Sequence, residues 1–528
     1  MIPWTSAGSR LDRLEVVRTV AALLGLAAIG VYVAVALARL AYPFTLEVLE
    51  SNSLVEVHRI LSGRPLYAAP TVSYVPDGYP PLYFATSAAL ASVLGPSYLP
   101  LRLVSLVSSL ACFAILARLV QRETGRASAG IAAAGLLAST YFVTHTWFDV
   151  ARVDSLFLAL SVAALYTARW MTRARGAIAA GLLLGAAFGT KQTALAEGVA
   201  VLAALAAGPR RRLAVPAALA YCAVAGGSTL VLGIASHGWY VYYVFRQMSE
   251  HTLSGGYAVQ FWTGHLLPTL GIAVCGAVLG ARRIPLVLAL GCAALLVEGW
   301  VPLVQVGGNV NDLLPAFLVV ALLACLAMGD RPGWRAGWRA GRWGGRSGGR
   351  SGGRWGGRWA VAAAGGLVIA QLTVLAAGFR PDRAIPADAD RAAGVHLLAG
   401  VRALGGTVAI PGDPGLALMA GRPEIEDQVA AADILRASDP AAKADFRDSI
   451  TRAVAARRFT AIITELNWDL RGFPADLPRY YHRCPQMPPD GVPPAPFDAG
   501  RWPVSVWLPA GRGSCAAAIR VISRTGGL

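Results

Sequence analysis

Eleven long apolar runs divide the first 378 residues of this 528-residue chain. We place the predicted membrane spans near residues 17–41, 99–119, 129–146, 155–169, 177–190, 193–208, 214–236, 263–280, 284–303, 312–328 and 360–378. Apolar residues make up 55% of the sequence and charged residues only 15%, which is typical of integral membrane proteins. The pattern predicts an all-α polytopic membrane protein with about 11 transmembrane helices.

The positive charges fall on one side of these spans. If the first span starts in the cytoplasm, 22 of the 29 Lys and Arg residues before residue 379 lie in cytoplasmic segments. Ten of the 14 acidic residues in the same part of the chain lie on or near the outer face. The positive-inside rule therefore predicts a multi-pass protein of the cell membrane with a cytoplasmic N-terminus. Pro80 to Gly95 is apolar but too short to cross, and we interpret it as an interfacial helix within a large first outer loop.

Composition divides the chain into four predicted parts. They are a transmembrane core (1–330), a Gly/Arg/Trp-rich low-complexity linker (331–359), a last transmembrane helix (360–378) and a C-terminal domain (379–528). The linker cannot bury a core, and we expect it to rest on anionic lipid headgroups in preference to binding nucleic acid. Strand-like segments flank a helix-compatible stretch in the last part and predict a small extracytoplasmic α/β domain; these segments are 407–411, 459–466 and 501–509, with 428–458 as the helical stretch.

Cysteine and histidine usage predicts neither a metal site nor a cofactor. The sequence shows no His/Cys cluster at metal-ligand spacing. Five of the seven cysteines lie in apolar runs, where a cysteine usually acts as a small hydrophobic residue. Cys484 and Cys515 lie outside those runs and are expected to form a disulfide if their domain faces an oxidising compartment.

The first outer loop carries the strongest functional signal in the sequence. Glu47 and Glu50 follow the first span within a few residues, where an unpaired carboxylate beside hydrocarbon is costly and indicates function. If residues 45–61 are helical, the two acids share one helix face. His58 lies further along the same segment.

Three further polar clusters are predicted to face the outer side. One is the turn 147–154, which contains Asp149, Arg152 and Asp154; the second is the break between two short helices at Lys191 and Gln192; the third is the aromatic loop 237–262, which contains Arg246. Each has a structural alternative. Arg152 could close its turn as an ion pair with Asp149 or Asp154, Lys191 could extend to the interface, and the aromatic loop could be an interfacial belt.

The ordered set of motifs resembles membrane glycosyltransferases of the GT-C architecture. The resemblance is to the dolichyl-phosphate-mannose protein-mannosyltransferase-like group, which includes the lipid A aminoarabinose transferases. It covers roughly residues 15–330, and its motifs are PFTLEVLESNSLVEVHRILSGRPLY (43–67), YPPLYF (79–84), LPLRLVS (99–105), WFDVARVDSLFL (147–158), FGTKQTAL (188–195) and GGNVNDLLPA (307–316).

The resemblance implies an inverting transfer of a sugar from a polyprenyl-phosphate donor to an extracytoplasmic glycan, lipid or protein acceptor. Glu50 matches the catalytic acid of the first outer loop, with Glu47 as its neighbour, although family members often have Gly where this chain has Ser51. Lys191 and Arg152, together with Arg246, are expected to bind the donor phosphate. The remaining substrate-binding candidates are Asp149, Asp154, Tyr79, Gln192, His58 and Asn309.

Two other functions are compatible with the sequence. A transporter or flippase of a lipid-linked or small polar substrate is the main alternative, although we find no internal repeat of the kind that transporters often have. A non-catalytic membrane scaffold for the outer domain is the third possibility, and it predicts that replacing Glu50 with Gln leaves the phenotype intact.

Overall fold

The apolar runs of the first 378 residues form helices, since only a helix satisfies its own backbone hydrogen bonds in lipid. The computed structural model describes residues 13–281, 284–329, 352–464, 472–485 and 505–522. Most of the predicted linker 331–359 lies outside these ranges. The helix predicted at 360–378 is observed from Gly352 to Ala377.

Every predicted span overlaps a helix, although the helix within the predicted span 129–146 ends at Ala138 and turns follow it. The helices of this part are α1 (Arg13–Leu40), α2 (Glu50–Leu61), α3 (Leu82–Leu94), α4 (Tyr98–Thr124), α5 (Ala127–Ala138), α6 (Asp154–Trp170), α7 (Ala174–Thr190), α8 (Leu195–Ala207), α9 (Ala214–Ala235), α10 (Trp239–Val241), α11 (Gly255–Gln260), α12 (Leu267–Ala281), α13 (Leu286–Val304), α14 (Leu314–Leu326) and α15 (Gly352–Ala377). This part also contains two π-helical turns, Tyr242–Gln247 and Phe261–Leu266, and three 3₁₀ turns, Gln192–Ala194, Arg211–Leu213 and Val310–Leu313.

Six helical segments in the described part of the chain are long and apolar enough to cross a membrane: Arg13–Leu40, Tyr98–Thr124, Arg211–Ala235, Gly255–Ala281, Leu286–Val304 and Trp359–Ala377. Several shorter apolar helices pack between them, among them α5, α7 and α14. The protein is therefore a multi-pass membrane protein. The number of 11 crossings and the orientation of the termini stay predictions.

Helices α1 and α5 approach each other closely, and this requires small residues. A Cβ atom on Gly135 would lie 2.0 Å from the Cα atom of Gly25. Small residues at such crossings let helix backbones meet, as is common in membrane proteins. The contact fixes α5 beside the first helix.

The first outer loop contains α2 and α3. The predicted helix over 45–61 begins only at Glu50, so Glu47 lies in the preceding turn and does not share a helix face with Glu50. The Glu50 amide donates to the Glu47 carbonyl at 3.1 Å. Helix α3 coincides with the segment that we interpret as interfacial.

The C-terminal part is a small α/β domain, as predicted. Its helices are α16 (Pro381–Ala384), α17 (Asp388–Leu404), α18 (Pro414–Met419), α19 (Gln428–Arg436), α20 (Pro440–Ala455), α21 (Leu477–Tyr480) and α22 (Cys515–Ile522). Its strands are β1 (Val408–Ala409), β2 (Ala461–Thr464), β3 (Tyr481–Arg483) and β4 (Ser505–Pro509), in the order β1-β2-β4-β3. β1 and β2 are parallel, and β4 is antiparallel to both neighbours. Strand β3 was not predicted, because it has only three residues.

The predicted disulfide is confirmed. Cys484 and Cys515 are bonded, with their Cα atoms 5.3 Å apart, and this bond ties the segment after β3 to the start of α22.

Candidate active site

Glu50 is the best-satisfied carboxylate of the first outer loop. It opens α2, and both of its oxygens receive donors from Arg102 of α4, at 2.9 Å from Nε and 2.6 Å from Nη2. The Leu46 amide donates to Oε2 at 2.7 Å, and the Ala151 amide donates to Oε1 at 2.6 Å. The Glu50 side chain is fully buried. It therefore ties the start of the outer loop to the turn 147–154.

This environment stabilises the charged form of Glu50. Burial alone would raise its pKa, but the Arg102 guanidinium and the two amides outweigh burial and hold the pKa below its ordinary value. A proton acceptor must be reached by the group that gives up the proton. All four hydrogen bonds of Glu50 are already made within the protein, which is the geometry of a structural carboxylate.

Glu47 has a different environment. It is half-buried, and its Oε2 accepts a hydrogen bond from the Leu49 amide at 2.8 Å. The Arg152 guanidinium lies within electrostatic range of it. Glu47 is thus a carboxylate at the edge of the cluster, beside a cation and partly open to solvent.

Arg152 lies at the centre of the candidate site. Its side chain is 2% exposed, and it forms an ion pair with Asp77 at 3.1 Å. The guanidinium carbon lies 5.1 Å from the centre of the Tyr79 ring, within the range of a cation–π contact. Its Nε is buried and has no hydrogen-bond partner among the described residues. Arg152 therefore keeps donor capacity for an anion.

Lys191 lies at the break between α7 and α8 and holds two carboxylates. Its Nζ donates to Asp154 and to Asp312, both at 2.9 Å. Asn311 donates to the same Asp154 oxygen at 3.1 Å. Next to Lys191, the side-chain amide of Gln192 donates through Nε2 to the Gly78 carbonyl at 2.8 Å. The break between the two helices thus meets the first outer loop and the connection before α14.

Tyr79 lines the same cluster as a neutral hydroxyl. It is half-buried, and its neighbours include Arg152, Lys191 and Asp154. Burial raises its pKa to about 12, against the opposing effect of the two cations. Tyr79 therefore stays protonated at neutral pH and is suited to donating a hydrogen bond, not to acting as a base.

Six of the predicted residues come together in this way: Glu47, Tyr79, Arg152, Asp154, Lys191 and Gln192. Glu50 adjoins them through the turn 147–154 and through its position next to Leu49. The structure thus brings parts of the motifs 43–67, 79–84, 147–158 and 188–195 together.

Four predicted residues have other partners. Asp149 forms a buried ion pair with Arg39 of α1, at 2.6 Å, and accepts a hydrogen bond from Tyr141 at 2.9 Å. This pair holds α1 against the turn 147–154, so its evident role is structural. Asn309 is exposed and caps the 3₁₀ turn Val310–Leu313, which carries Asn311 and Asp312 to Lys191.

Arg246 and His58 face the C-terminal domain. Arg246 forms an ion pair with Asp439 at 3.0 Å and with Glu250 at 3.2 Å, and its side chain is 56% exposed. The His58 ring lies 3.0 Å from Arg64 and 3.8 Å from Glu424. Neither residue makes a contact in the structure with the cluster around Arg152.

The sequence reasoning missed several residues of this site. Arg102 lies within a quoted motif, LPLRLVS, and a lone arginine beside an outer apolar segment was a usable signal for a carboxylate partner. Asp312 likewise lies within a quoted motif, GGNVNDLLPA, whereas Asp77 had no signal beyond its outer position. Asp77 also accepts a hydrogen bond from Asn52 at 2.7 Å, which anchors it to α2.

One group in the described part of the chain has the spacing of metal ligands. The ligand atoms of His482, Cys484 and Cys515 lie within 4.8 Å of one another. The two cysteines form the disulfide, so their sulfur atoms are not thiolate ligands.

Comparison with known proteins assigns the fold. The family model of dolichyl-phosphate-mannose-protein mannosyltransferases matches residues 78–248, a segment that contains Tyr79, Arg152 and Lys191. No curated protein matches the chain.

Two solved structures of ArnT from Cupriavidus metallidurans, one bound to undecaprenyl phosphate and one in the apo state, match with a TM-score of 0.55 and 14% identity. Each match covers 91% of this chain and 97% of the other. The archaeal oligosaccharyltransferase AglB from Archaeoglobus fulgidus matches with a TM-score of 0.47 and 14% identity, over 83% of this chain and 69% of the other.

The structural match to ArnT extends along nearly the whole of both chains. The chain is therefore a multi-pass membrane protein with the GT-C fold, similar to ArnT in architecture and to the dolichyl-phosphate-mannose-protein mannosyltransferases over residues 78–248.

Proposed function

We propose that this protein is an inverting glycosyltransferase that moves a sugar from a polyprenyl-phosphate donor to an extracytoplasmic glycan, lipid or protein. The observation that carries the proposal is the cluster of ion pairs that Arg152 and Lys191 form in the outer loops of a GT-C fold, with Glu47 within electrostatic range of Arg152. The similarity to ArnT, whose structure is known bound to undecaprenyl phosphate, supports a polyprenyl phosphate as the lipid part of the donor.

The reaction needs a group that accepts the proton of the attacking hydroxyl. In the proposed step, the acceptor oxygen bonds to the anomeric carbon while the bond from that carbon to the phosphate oxygen breaks. The hydroxyl proton passes to a carboxylate, and the lipid phosphate leaves with the bonding electrons. Glu47 and Glu50 were both predicted from the sequence as candidates, and partial exposure favours Glu47 over Glu50 as this base.

The phosphate needs cations where its charge develops. Arg152 is the better placed of the two, because its Nε has no hydrogen-bond partner among the described side chains and carbonyls. Lys191 is already held by Asp154 and Asp312, so it would contribute its charge alongside them. Preorganised donors of this kind stabilise a leaving group without reorganising in the transition state.

The proposal is tested by transfer of radiolabel from polyprenyl-phosphate sugars to envelope glycans in membranes with and without this protein. We expect label to move only when the protein is present, and to stay on the donor with Glu47→Gln or Arg152→Gln. The matched control is Glu250→Gln, which changes an outer carboxylate that pairs with Arg246 away from the cluster. Failure of the wild-type protein to transfer label from any polyprenyl-phosphate sugar would refute the proposal.

One observation favours the transporter alternative. Glu197 of α8 and Glu298 of α13 lie buried among the membrane helices, and the Glu298 carboxylate accepts a hydrogen bond from the Glu197 amide at 2.8 Å. Acidic residues at such positions often mark ion or substrate pathways. Uptake of a lipid-linked substrate into sealed vesicles, lost in Glu197→Gln and unchanged in Glu47→Gln, would favour transport over transfer.

A further inference from the structure

Ser51, the residue directly after Glu50, is bonded to the C-terminal domain. Its hydroxyl donates to Oδ1 of Asp413 at 2.6 Å and accepts a hydrogen bond from the Gly415 amide at 2.7 Å. All three residues are buried. Ser51 is also the position at which this sequence departs from the Gly that the resembling family often has.

The segment around Asp413 is shaped for this contact. Asp413 caps α18, since its Oδ1 also accepts the Leu416 amide at 2.9 Å, and Pro414 fixes the first helical position. A Cβ atom on Gly415 would lie 2.5 Å from the Tyr98 hydroxyl and 3.0 Å from the Ser51 hydroxyl. The start of α18 therefore fits against the start of α2 only because residue 415 has no side chain.

A second contact holds the other end of α2. Glu424 of the C-terminal domain pairs with Arg59 at 2.7 Å and with Arg64 at 2.8 Å. The domain thus touches α2 at both ends, and of these two contacts it is the Ser51 contact that adjoins Glu50 and the turn that carries Glu47.

We propose that the C-terminal domain completes the candidate active site, with Asp413 acting through Ser51 as a positioning residue for the turn that carries Glu47. This inference rests on the proposed function. The Glu50 carboxylate accepts hydrogen bonds from the Leu46 and Ala151 amides, so it links the 46–50 turn to the segment that carries Arg152. Because Ser51 follows Glu50 directly, a shift of Ser51 would change the orientation of the 46–50 turn toward Arg152. Small displacements of reacting groups lower the rate strongly.

The contact depends on hydrogen bonding and not on charge. One oxygen of Asp413 accepts both the Ser51 hydroxyl and the Leu416 amide. The amide oxygen of an asparagine can accept both bonds in the same geometry. Asp413→Asn is therefore the conservative variant that should keep the turn in place.

The test compares Ser51→Ala, Asp413→Ala, their double variant and Asp413→Asn in the full-length protein. We expect each Ala variant to lower kcat about tenfold, with KM for the lipid donor unchanged within about twofold, because donor cations are not displaced. The double variant should lose no more than either single one, since the residues act through one contact. Asp413→Asn should recover most of the rate.

The control is Glu424→Gln, which alters the distant contact of the same domain and should keep kcat, normalised to folded protein, within about twofold. Wild-type kcat in both Ala variants, or losses that multiply in the double variant, would overturn the proposal. If Asp413→Ala makes the C-terminal domain sensitive to protease at a lower temperature than in the wild type, the domain is destabilised and Ser51→Ala decides.

Absence of sugar transfer by the wild-type protein would refute the proposed function and leave the positioning testable. Hydrogen–deuterium exchange of residues 44–51 is then the measurement. Faster exchange in Ser51→Ala and Asp413→Ala than in Glu424→Gln supports the positioning role, and equal exchange in all of them overturns it.

Discussion

Two carboxylates three residues apart have opposite environments in the first outer loop. Glu50 is fully buried and has four donors, two from Arg102 and two from amides. Glu47 is half-buried near Arg152. A base must be reached by substrate, whereas a buried ion pair holds structure, and this difference makes separate predictions for the two residues.

We expect Glu47→Gln to fold normally and to lose about 10²–10⁴-fold in transfer rate, the usual contribution of a general base. Glu50→Gln should instead lower stability, because it leaves Arg102 buried without its counter-charge. Breaking such a pair typically costs about 3–5 kcal/mol. Transfer assays normalised to folded protein, with thermal unfolding of the same samples, separate the two effects.

A Glu50→Gln protein with wild-type stability and no transfer, beside an active Glu47→Gln protein, would make Glu50 the base. Full transfer by both folded variants would remove this loop from proton transfer altogether.

Lys191→Ala is predicted to weaken binding of the lipid phosphate by about 10–100-fold, which corresponds to a lost charge-assisted interaction of about 1.5–3 kcal/mol. It should also lower the melting temperature, because Asp154 and Asp312 lose their common cation. Adding Asp312→Asn to Lys191→Ala should restore part of the stability but none of the affinity. Titration with a polyprenyl phosphate measures the affinity, and an unchanged affinity in Lys191→Ala would assign the lysine to structure alone.

At the scale of elements, the spans were predictable because hydropathy follows from composition along a single helix. The contacts of the site were not, since they join residues far apart in sequence. Lys191 was predicted as a phosphate ligand from the family resemblance, but its pairing with Asp312 depends on how the break between α7 and α8 meets the 3₁₀ turn before α14. Asp149 was expected at the substrate, yet Arg39 of α1 lies opposite it, and no local pattern reports that contact.

The start of α2 shows the same limit. A helix over 45–61 fits the local pattern, but the chain at 42–46 instead lies around the Arg102 guanidinium. Arg102 donates hydrogen bonds to the carbonyls of Tyr42 and Phe44, and these bonds hold the segment in a non-helical conformation. Tertiary hydrogen bonds outweighed local helix propensity at this point.

The disulfide is predicted to stabilise the C-terminal domain. It closes a loop of 31 residues, which corresponds to about 3–4 kcal/mol in the chain-entropy account. Cys484→Ser should therefore make the domain sensitive to protease at a lower temperature, without changing the membrane helices. In denatured, unreduced wild-type protein, thiol reagents should label Cys112, Cys222, Cys275, Cys292 and Cys325 but neither partner of the bond. Labelling of both partners would contradict the prediction.

At the scale of the whole molecule, several carboxyl groups of α2 and of the C-terminal domain are buried or half-buried. Burial raises the pKa of Asp427 to about 8, of Asp433 to about 7 and of Asp413 to about 6, and burial and Asp77 raise the pKa of Glu56 well above its ordinary value. A carboxyl group with a raised pKa binds its proton more tightly in the folded state. Its stabilisation is complete below the unfolded pKa, near 4, and is lost as the pH rises through the folded value.

The free energy of unfolding should therefore increase as the pH falls from 8 to 6, on the order of 1–3 kcal/mol for each group that titrates in this window. The melting temperature should rise accordingly. Asp427→Asn keeps the oxygen that accepts the Val429 and Ala430 amides and removes one of these titrations. It should raise the melting temperature at pH 8 and reduce the difference between pH 8 and pH 6. An equal pH dependence in wild type and Asp427→Asn would show that other groups set it.

The orientation of the whole molecule is predicted by charge: 22 of 29 basic residues before residue 379 fall on one side of the 11 predicted spans. The candidate site, the Ser51–Asp413 contact and the disulfide all require the C-terminal domain to share the outer side with the first loop. A reporter that is active only outside the cytoplasm should work when fused after Leu528 and stay silent when inserted at Gly345. The opposite pair of results would reverse the membrane orientation, and activity at both positions would mean an even number of crossings between the two.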